Sequence, residues 1–100
     1  MIHLVAASHG TDNPQGRQAV NLIREQLTAL VEAQAPGTYT VHEGYVDVQE
    51  PSLPQVLQGL PSGATAVLVP LLLSPGYHTE HDMRQAAASA SHLTTTIARA

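Results

Sequence analysis

The hydrophobic positions of the first half of the chain form one short apolar run and one helical repeat. Residues 2–7 are β-compatible and are followed at once by the turn-rich segment "SHGTDNPQG". Residues 17–34 carry apolar side chains at intervals of three and four, which predicts an amphipathic helix. These side chains are Val20, Ile23, Leu27, Leu30 and Val31. Pro36 and Gly37 then form a pair that is typical of a helix end.

The middle of the chain predicts a strand, a short helix and a more deeply buried strand. Residues 39–48 alternate loosely and are rich in β-branched and aromatic types. Ser52 is a suitable N-cap for a short helix that ends near Gly59. The apolar run 66–73 suits a strand covered on both faces of a parallel sheet, and its internal Pro70 indicates a bulge or an edge-like position.

The last third of the chain completes an alternating pattern. The Ala-rich segment 78–91 predicts a helix and residues 94–100 predict a fourth strand. The order β-α-β-α-β-α-β predicts an α/β fold, a small three-layer sandwich in which helices flank a four-stranded parallel sheet. One hundred residues suit a single domain, 1–100. We expect this domain either to lack its C-terminal helix or to be the N-terminal half of a two-domain protein.

Composition and charge exclude several classes of function. The net charge is −4, with four Arg and no Lys, so there is no basic stripe to bind nucleic acid or an anionic membrane surface. The absence of cysteine excludes disulfides and thiolate metal sites. No apolar run is long enough to span a membrane and the N-terminal segment does not resemble a signal peptide, which predicts a cytoplasmic protein.

Three polar clusters follow the predicted strands. They are Ser8-His9-Gly10, residues 47–50 and residues 74–82. Ligands of parallel α/β sheets bind beyond the carboxyl ends of the strands, where these clusters would lie. If the first and third strands are neighbours, His9 and His78 project into the same space, and with Asp47 they would suit divalent Co, Fe, Ni or Zn. A lone histidine after a strand is more often a loop residue than a ligand, whereas two histidines at the same edge of consecutive core strands make the two interpretations about equally favoured.

The other histidines are weaker candidates. His81 lies one turn beyond His78 and is either a supporting partner of that residue or a polar residue at a helix start. His3, His42 and His92 lie away from the predicted edge, which favours structural roles. There is no phosphate-binding glycine motif and no nucleophile elbow. A His-Gly pair after the first strand is shared with phosphohistidine phosphatases, although Ser8 stands where those enzymes have arginine.

Three segments together resemble a known enzyme family. They are "LVAASHGTDNPQG", "GYVDVQEPSLPQVL" and "VLVPLLLSPGYHTEHDM", and the last is the most specific. They are similar to sirohydrochlorin chelatases of the CbiX/SirB type, the class II tetrapyrrole chelatases, over residues 2 to 84. The resemblance implies a lyase that inserts cobalt or ferrous iron into sirohydrochlorin for cobalamin or siroheme synthesis, with no cofactor beyond the substrate metal ion. It also implies either a homodimer or a second homologous domain.

The resemblance assigns roles to individual residues. His9 and His78 match the family's metal-binding histidines, and Asp47 matches its acidic residue, so these three are the expected catalytic groups. The expected contacts to the tetrapyrrole are Ser8, Gly10, Arg17, Ser74, Gly76, Tyr77 and Arg84. A non-catalytic metal- or tetrapyrrole-binding module of the same fold is the alternative interpretation, and a phosphatase-like domain is a third.

Overall fold

Four strands and three helices alternate along the chain, as the sequence predicts. The computed structural model describes residues 1–71 and 77–98, apart from the side chains of residues 77–80. The elements are β1 (Ile2–Ser8), α1 (Pro14–Gln34), β2 (Tyr39–Tyr45), α2 (Leu53–Gln58), β3 (Thr65–Pro70), α3 (Tyr77–Ser89) and β4 (Thr94–Ile97). None of the helices in this described part is long and apolar enough to cross a membrane.

The four strands form one parallel sheet in the order β2-β1-β3-β4. The first and third strands are neighbours, which was the condition for His9 and His78 to share a space: Ile2 pairs with Thr65, and Ala7 pairs with Pro70. Because β1 is paired on both sides, its residues from Leu4 to Ser8 are all buried. All strands run the same way, so the carboxyl ends of β1, β2 and β3 lie at one edge of the sheet.

Helices cover the sheet from two sides, which gives the predicted three layers. Helices α2 and α3 pack on one face, where the buried core contains Val5, Ala7, Leu53, Leu57, Leu60, Ala66, Leu68, Met83, Ala86 and Ala90. Helix α1 packs on the other face. There Arg24 Nη1 lies 2.6 Å from Glu43 Oε2, to which the Tyr45 hydroxyl also donates at 3.1 Å. Burial and the adjacent Glu43 raise the pKa of Tyr45.

Two helix starts follow from side-chain caps. Helix α1 begins at Pro14, three residues before the predicted start, because Asn13 Oδ1 accepts hydrogen bonds from the amides of Gln15 and Gly16. The predicted cap of α2 is confirmed. The Ser52 hydroxyl accepts a hydrogen bond from the Gln55 amide, and the side-chain oxygen of Gln55 accepts one from the Ser52 amide.

Two strands end earlier than the sequence predicts. Strand β2 stops at Tyr45 instead of residue 48, and the Tyr45 amide donates to the Pro51 carbonyl of the following loop. Strand β3 ends at Pro70. The β3–β4 ladder already stops at the pair of Leu68 and Ile97, so the missing N–H of Pro70 falls beyond the last ladder pair, the edge-like position that was predicted. Residues 72 and 73 of the predicted strand, and residues 99 and 100 of the fourth, lie outside the described residues.

The amino end of the sheet carries a pair of histidines. His3 on β1 and His42 on β2 lie on the face that α2 and α3 cover, since the register pairs His3 with Thr40 and Val5 with His42. The His3 Nδ1 and His42 Nε2 atoms are 2.9 Å apart and the ring centroids are 5.1 Å apart. Desolvation by burial, and then the neighbouring His3, lower the pKa of His42 from its ordinary value of 6.5.

The buried position of Leu57 gives a direct test of the core. Its side chain is fully buried among aliphatic neighbours, so we expect Leu57→Ala to lower the free energy of unfolding by about 2–5 kcal/mol. The matched control is Leu30→Ala, because Leu30 is 55% exposed on α1 and should cost under about 1 kcal/mol. Urea unfolding of both variants provides the measurement. Equal losses for the two variants would contradict this core.

The lowered pKa of His42 predicts a pH dependence of stability. In the window below pH 6.5 the unfolded chain binds this proton more tightly than the folded chain does, so protonation favours unfolding. The stability due to neutral His42 is fully present above pH 6.5 and is lost as the pH falls through that window. We expect the melting temperature to drop less in His42→Gln than in the parent between pH 7.5 and pH 5. Parallel curves for the two proteins would show that His42 does not contribute.

Candidate functional site

His9 directly follows the carboxyl end of β1, so the position of its backbone is fixed by the sheet. The preceding residues, through Ser8, are buried between two strands, and His9 is the first exposed residue after them. Polar residues that follow the central strand of a parallel sheet lie at its ligand-binding edge. The imidazole of His9 therefore stands on a rigid backbone while its ring reaches solvent.

The loop after β2 is bonded to the loop after β1. Beyond the last strand pair, the Val46 amide donates to the Ser8 carbonyl at 2.8 Å, and the Asp47 amide donates to the His9 carbonyl at 2.8 Å. The structure therefore holds the backbone of Asp47 against that of His9. Both side chains are exposed, so an imidazole and a carboxylate are presented to solvent from adjacent points of the same edge.

Gly10 makes this close approach geometrically feasible. Its φ is +95°, and a Cβ atom at this position would lie 2.0 Å from the Asp47 carbonyl oxygen. Glycine is therefore required for two reasons, the left-handed backbone and the lack of space. Gly10 was predicted to contact substrate. Its observed contact is with the neighbouring loop, which it allows to lie directly against the His9 segment.

Residues 47–49, part of the polar cluster predicted at 47–50, form a tight turn whose conformation the sequence did not reveal. Asp47 Oδ1 accepts from the Val48 amide at 2.8 Å, and the Gln49 amide donates to the Asp47 carbonyl at 2.6 Å. Val48 has a φ of +64°, a strained conformation for a β-branched residue, and its side chain is 50% exposed. Gln49 Oε1 also accepts from the Thr11 amide at 3.0 Å. Val48 thus presents an apolar side chain beside His9 and Asp47.

Two arginines were predicted to meet an anionic substrate. Arg17 lies in the first turn of α1, where its Nε donates to the Thr11 carbonyl at 2.7 Å and its Nη2 lies 3.6 Å from Asp12 Oδ1. Its guanidinium therefore helps to hold the loop that carries His9. Arg84 lies on α3 and is exposed. Each of the two helices that follow β1 and β3 thus carries one of the predicted cations.

The third predicted cluster is only partly covered by the structure. Ser74 and Gly76 lie outside the described residues. Tyr77 and His78 belong to the first turn of α3, but their side chains also lie outside the described part, so the pairing of His9 with His78 stays a prediction.

Helix α3 and the residue after β2 line a common groove. Asp82 and Val46 line the same groove of about 350 Å³, together with Leu53 and Ala86. The groove lies on the covered face of the sheet, between α2 and α3, and it opens next to the loop that carries Asp47.

Ser8 contributes a buried polar atom at this edge. The residue is 3% exposed, and its Oγ finds no hydrogen-bond partner among the described residues. An unsatisfied buried hydroxyl costs about 1–3 kcal/mol. Such a group is therefore available to a ligand or to a neighbouring segment that reaches the end of β1.

The remaining histidines are placed as the sequence suggests. His81 is exposed on α3, and His92 Nε2 lies 3.1 Å from the Leu60 carbonyl, a structural contact. In the described part of the chain, no group of three or more His, Cys, Asp or Glu residues is arranged to hold a metal ion. A complete metal centre at this edge would therefore need a group from outside that part, such as the side chain of His78.

Comparison with known proteins identifies the family. The sequence profile of CbiX matches residues 3–99, almost the whole chain. The chain belongs to the CbiX family. No curated protein matched significantly. Among solved structures, the chain is similar to a CbiX protein of Marinobacter aquaeolei VT8 that is described as acting in cobalamin (vitamin B12) biosynthesis. The TM-score is 0.59 at 20% identity, over 99% of this chain and 81% of the other.

Membership of the CbiX family indicates the class of enzyme and the kinds of substrate. The family supports a chelatase-type enzyme with a metal ion and a tetrapyrrole as substrates, in a role related to cobalamin synthesis. The likeness to the solved CbiX structure independently supports the four-stranded parallel α/β fold. Imidazole and carboxylate groups at the carboxyl edge are a donor set that binds divalent transition metals.

The contact of Gly10 predicts a strong effect of a single methyl group. We expect Gly10→Ala to destabilise the protein and to displace residues 47–49, because the new Cβ would overlap the Asp47 carbonyl. Gly37→Ala is the matched control, since Gly37 has a φ of +76° but open space around its Cβ position. The control isolates the cost of the backbone conformation, about 1 kcal/mol. Similar melting temperatures for the two variants would contradict the interlocked loops.

Proposed function

We propose that this CbiX protein inserts a divalent metal, cobalt or ferrous iron, into sirohydrochlorin. The observation that carries the proposal is the hydrogen bond between the Asp47 amide and the His9 carbonyl, which joins the two backbone segments that carry an imidazole and a carboxylate. Both groups occupy the carboxyl edge of a parallel sheet, where α/β proteins bind their ligands. Membership of the CbiX family supports a metal and a tetrapyrrole as the two substrates.

Metal insertion requires two kinds of chemistry from the protein. The macrocycle must lose two pyrrole N–H protons, and a metal dication must reach the ring nitrogens from one face. A neutral imidazole can accept a proton near neutral pH and can also bind the metal reversibly. In this proposal His9 and His78 hold the incoming ion or receive the ring protons, and Asp47 assists them as a second proton acceptor.

The surroundings of His9 suit one face of a large, flat and anionic ligand. Val48 offers exposed apolar surface beside the two polar groups. The Ser8 hydroxyl is a buried hydrogen-bonding group that has no partner in the described part of the chain. Arg84 on α3 and Arg17 on α1 supply positive charge on either side, toward the carboxylates of a tetrapyrrole. Imidazole and carboxylate ligands bind both Co²⁺ and Fe²⁺, so the proposal includes both cations.

A non-catalytic tetrapyrrole-binding module is the second candidate function. The observation that favours it is the position of Arg17, whose guanidinium already bonds the Thr11 carbonyl and lies near Asp12. An arginine that holds its own loop has fewer donors left for substrate carboxylates. Such a chain would bind the macrocycle or the metal and release neither as a product.

Spectroscopy of metal insertion separates the two candidates. Sirohydrochlorin and Co²⁺, or Fe²⁺ without oxygen, are mixed with a small amount of protein while the absorbance spectrum of the macrocycle is followed. Multiple turnovers above the uncatalysed rate indicate a chelatase, whereas a change that stops at one equivalent per chain indicates a binding module. Hydrolysis of a generic phosphomonoester instead would support the phosphatase-like interpretation.

Removing either proposed catalytic histidine should abolish turnover. We expect His9→Ala and His78→Ala each to lower the insertion rate by about 10²-fold or more, because a metal ligand or proton acceptor is lost. His92→Gln is the matched control, since His92 contacts the Leu60 carbonyl away from this edge. Insertion at the parent rate by His9→Ala or His78→Ala would remove that residue from the mechanism.

A further inference from the structure

A second group of metal-binding side chains lies at the opposite end of the sheet from His9. His3 and His42 project from neighbouring strands onto the same face, with His3 Nδ1 and His42 Nε2 2.9 Å apart. His3 precedes His9 by six residues of a strand that rises about 3.3 Å per residue. The backbone of His3 is therefore roughly 20 Å from that of His9, and His42, which is level with Val5, is about 13 Å away along the strand direction, too far for either histidine to take part in chemistry at His9.

The pair is in the chemical state that binds metals. Two imidazoles in a hydrogen bond need one donor and one acceptor, so at least one ring is neutral. Each ring is half-buried and not enclosed, so an ion from solvent can reach the pair.

The geometry of the pair is close to that of a two-histidine metal site. Zinc binds imidazole nitrogen at about 2.0–2.1 Å, so two nitrogens at a tetrahedral angle are about 3.3 Å apart. The observed separation of 2.9 Å would have to widen by roughly 0.4 Å, which small rotations of the two rings supply. A metal dication would thus take the place of the proton that the two nitrogens share.

The neighbouring groups favour a late transition metal over a hard cation. Thr40 pairs with His3 on the same face, and its hydroxyl donates to Met1 Sδ. The donor atoms of the pair itself are imidazole nitrogens, which suit Zn²⁺, Ni²⁺, Co²⁺ and Cu²⁺ but not Mg²⁺ or Ca²⁺. Water would complete the coordination of an ion held by two protein ligands.

We propose that His3 and His42 form a second metal site, which binds one divalent late first-row transition cation through His3 Nδ1 and His42 Nε2. The site is independent of the chelatase edge in position and in ligands. It would give the chain a place to hold a metal ion that is separate from the place where metal insertion is proposed.

A zinc titration followed by NMR tests this site. Zn²⁺ is diamagnetic, so the ring signals of each histidine can be followed in the whole chain. We expect the His3 and His42 ring resonances to shift and to saturate together at one equivalent. The same shifts should persist in His9→Ala, because the two sites share no ligand. Unmoved His3 and His42 resonances in several-fold excess zinc would overturn the proposal.

Two conservative variants give a second readout. His3→Asn and His42→Gln place an amide near each ligating nitrogen and so can retain the hydrogen bond of the pair without an imidazole ligand. We expect each variant to bind one zinc equivalent fewer than the parent by calorimetry, whereas His92→Gln binds the parent number. Parent stoichiometry in both variants would contradict the site. If a variant unfolds, the ring resonances of the parent protein still decide the question.

Discussion

The pairing of β1 with a parallel strand on each side determines the rest of the structure. It buries β1 from Leu4 to Ser8 and holds the backbone of those residues in two hydrogen-bond ladders. It also fixes the point at which the chain leaves the sheet, at His9. Since β2 and β3 run in the same direction, the segments after all three strands start from one edge. The strand order alone therefore places the candidate functional residues at the same edge of the sheet.

Backbone contacts, more than side-chain contacts, hold the described part of the site together. The ladder between β1 and β2 continues past the strands, through the Val46 and Asp47 amides, into the loop that contains His9. The strained backbone of Val48 is stable there because hydrogen bonds on both sides define the turn. Such an arrangement fixes the backbone positions of His9 and Asp47 relative to each other.

The sequence predicted the architecture well because its signals are local. Runs of apolar residues predicted the alternating elements, and Ser52 before a helical segment identified a cap. The early start of α1 was also readable, since Asn13 and Pro14 are a strong start signal. Contacts that depend on register were not readable. No local pattern indicates that Val48 adopts a left-handed backbone.

Register also explains what the sequence left open about the histidines. His3 and His42 are separated by 39 positions, and only the alignment of β1 with β2 brings their rings to 2.9 Å. A shift of one residue would send one ring to the opposite face of the sheet. The pairing of His9 with His78 likewise joins residues that are distant in sequence. The family resemblance proposes this pairing, and the described side chains do not test it.

The contact between Gly10 and the Asp47 carbonyl links the lengths of two loops that are distant in sequence. An insertion between Tyr45 and Asp47 would move a different carbonyl against Gly10, and an insertion between Ser8 and Gly10 would bring a side chain into that space. Natural variation in length should therefore be confined to positions beyond Thr11 in one loop and beyond Gln49 in the other. Changes before those positions would have to occur in both loops together.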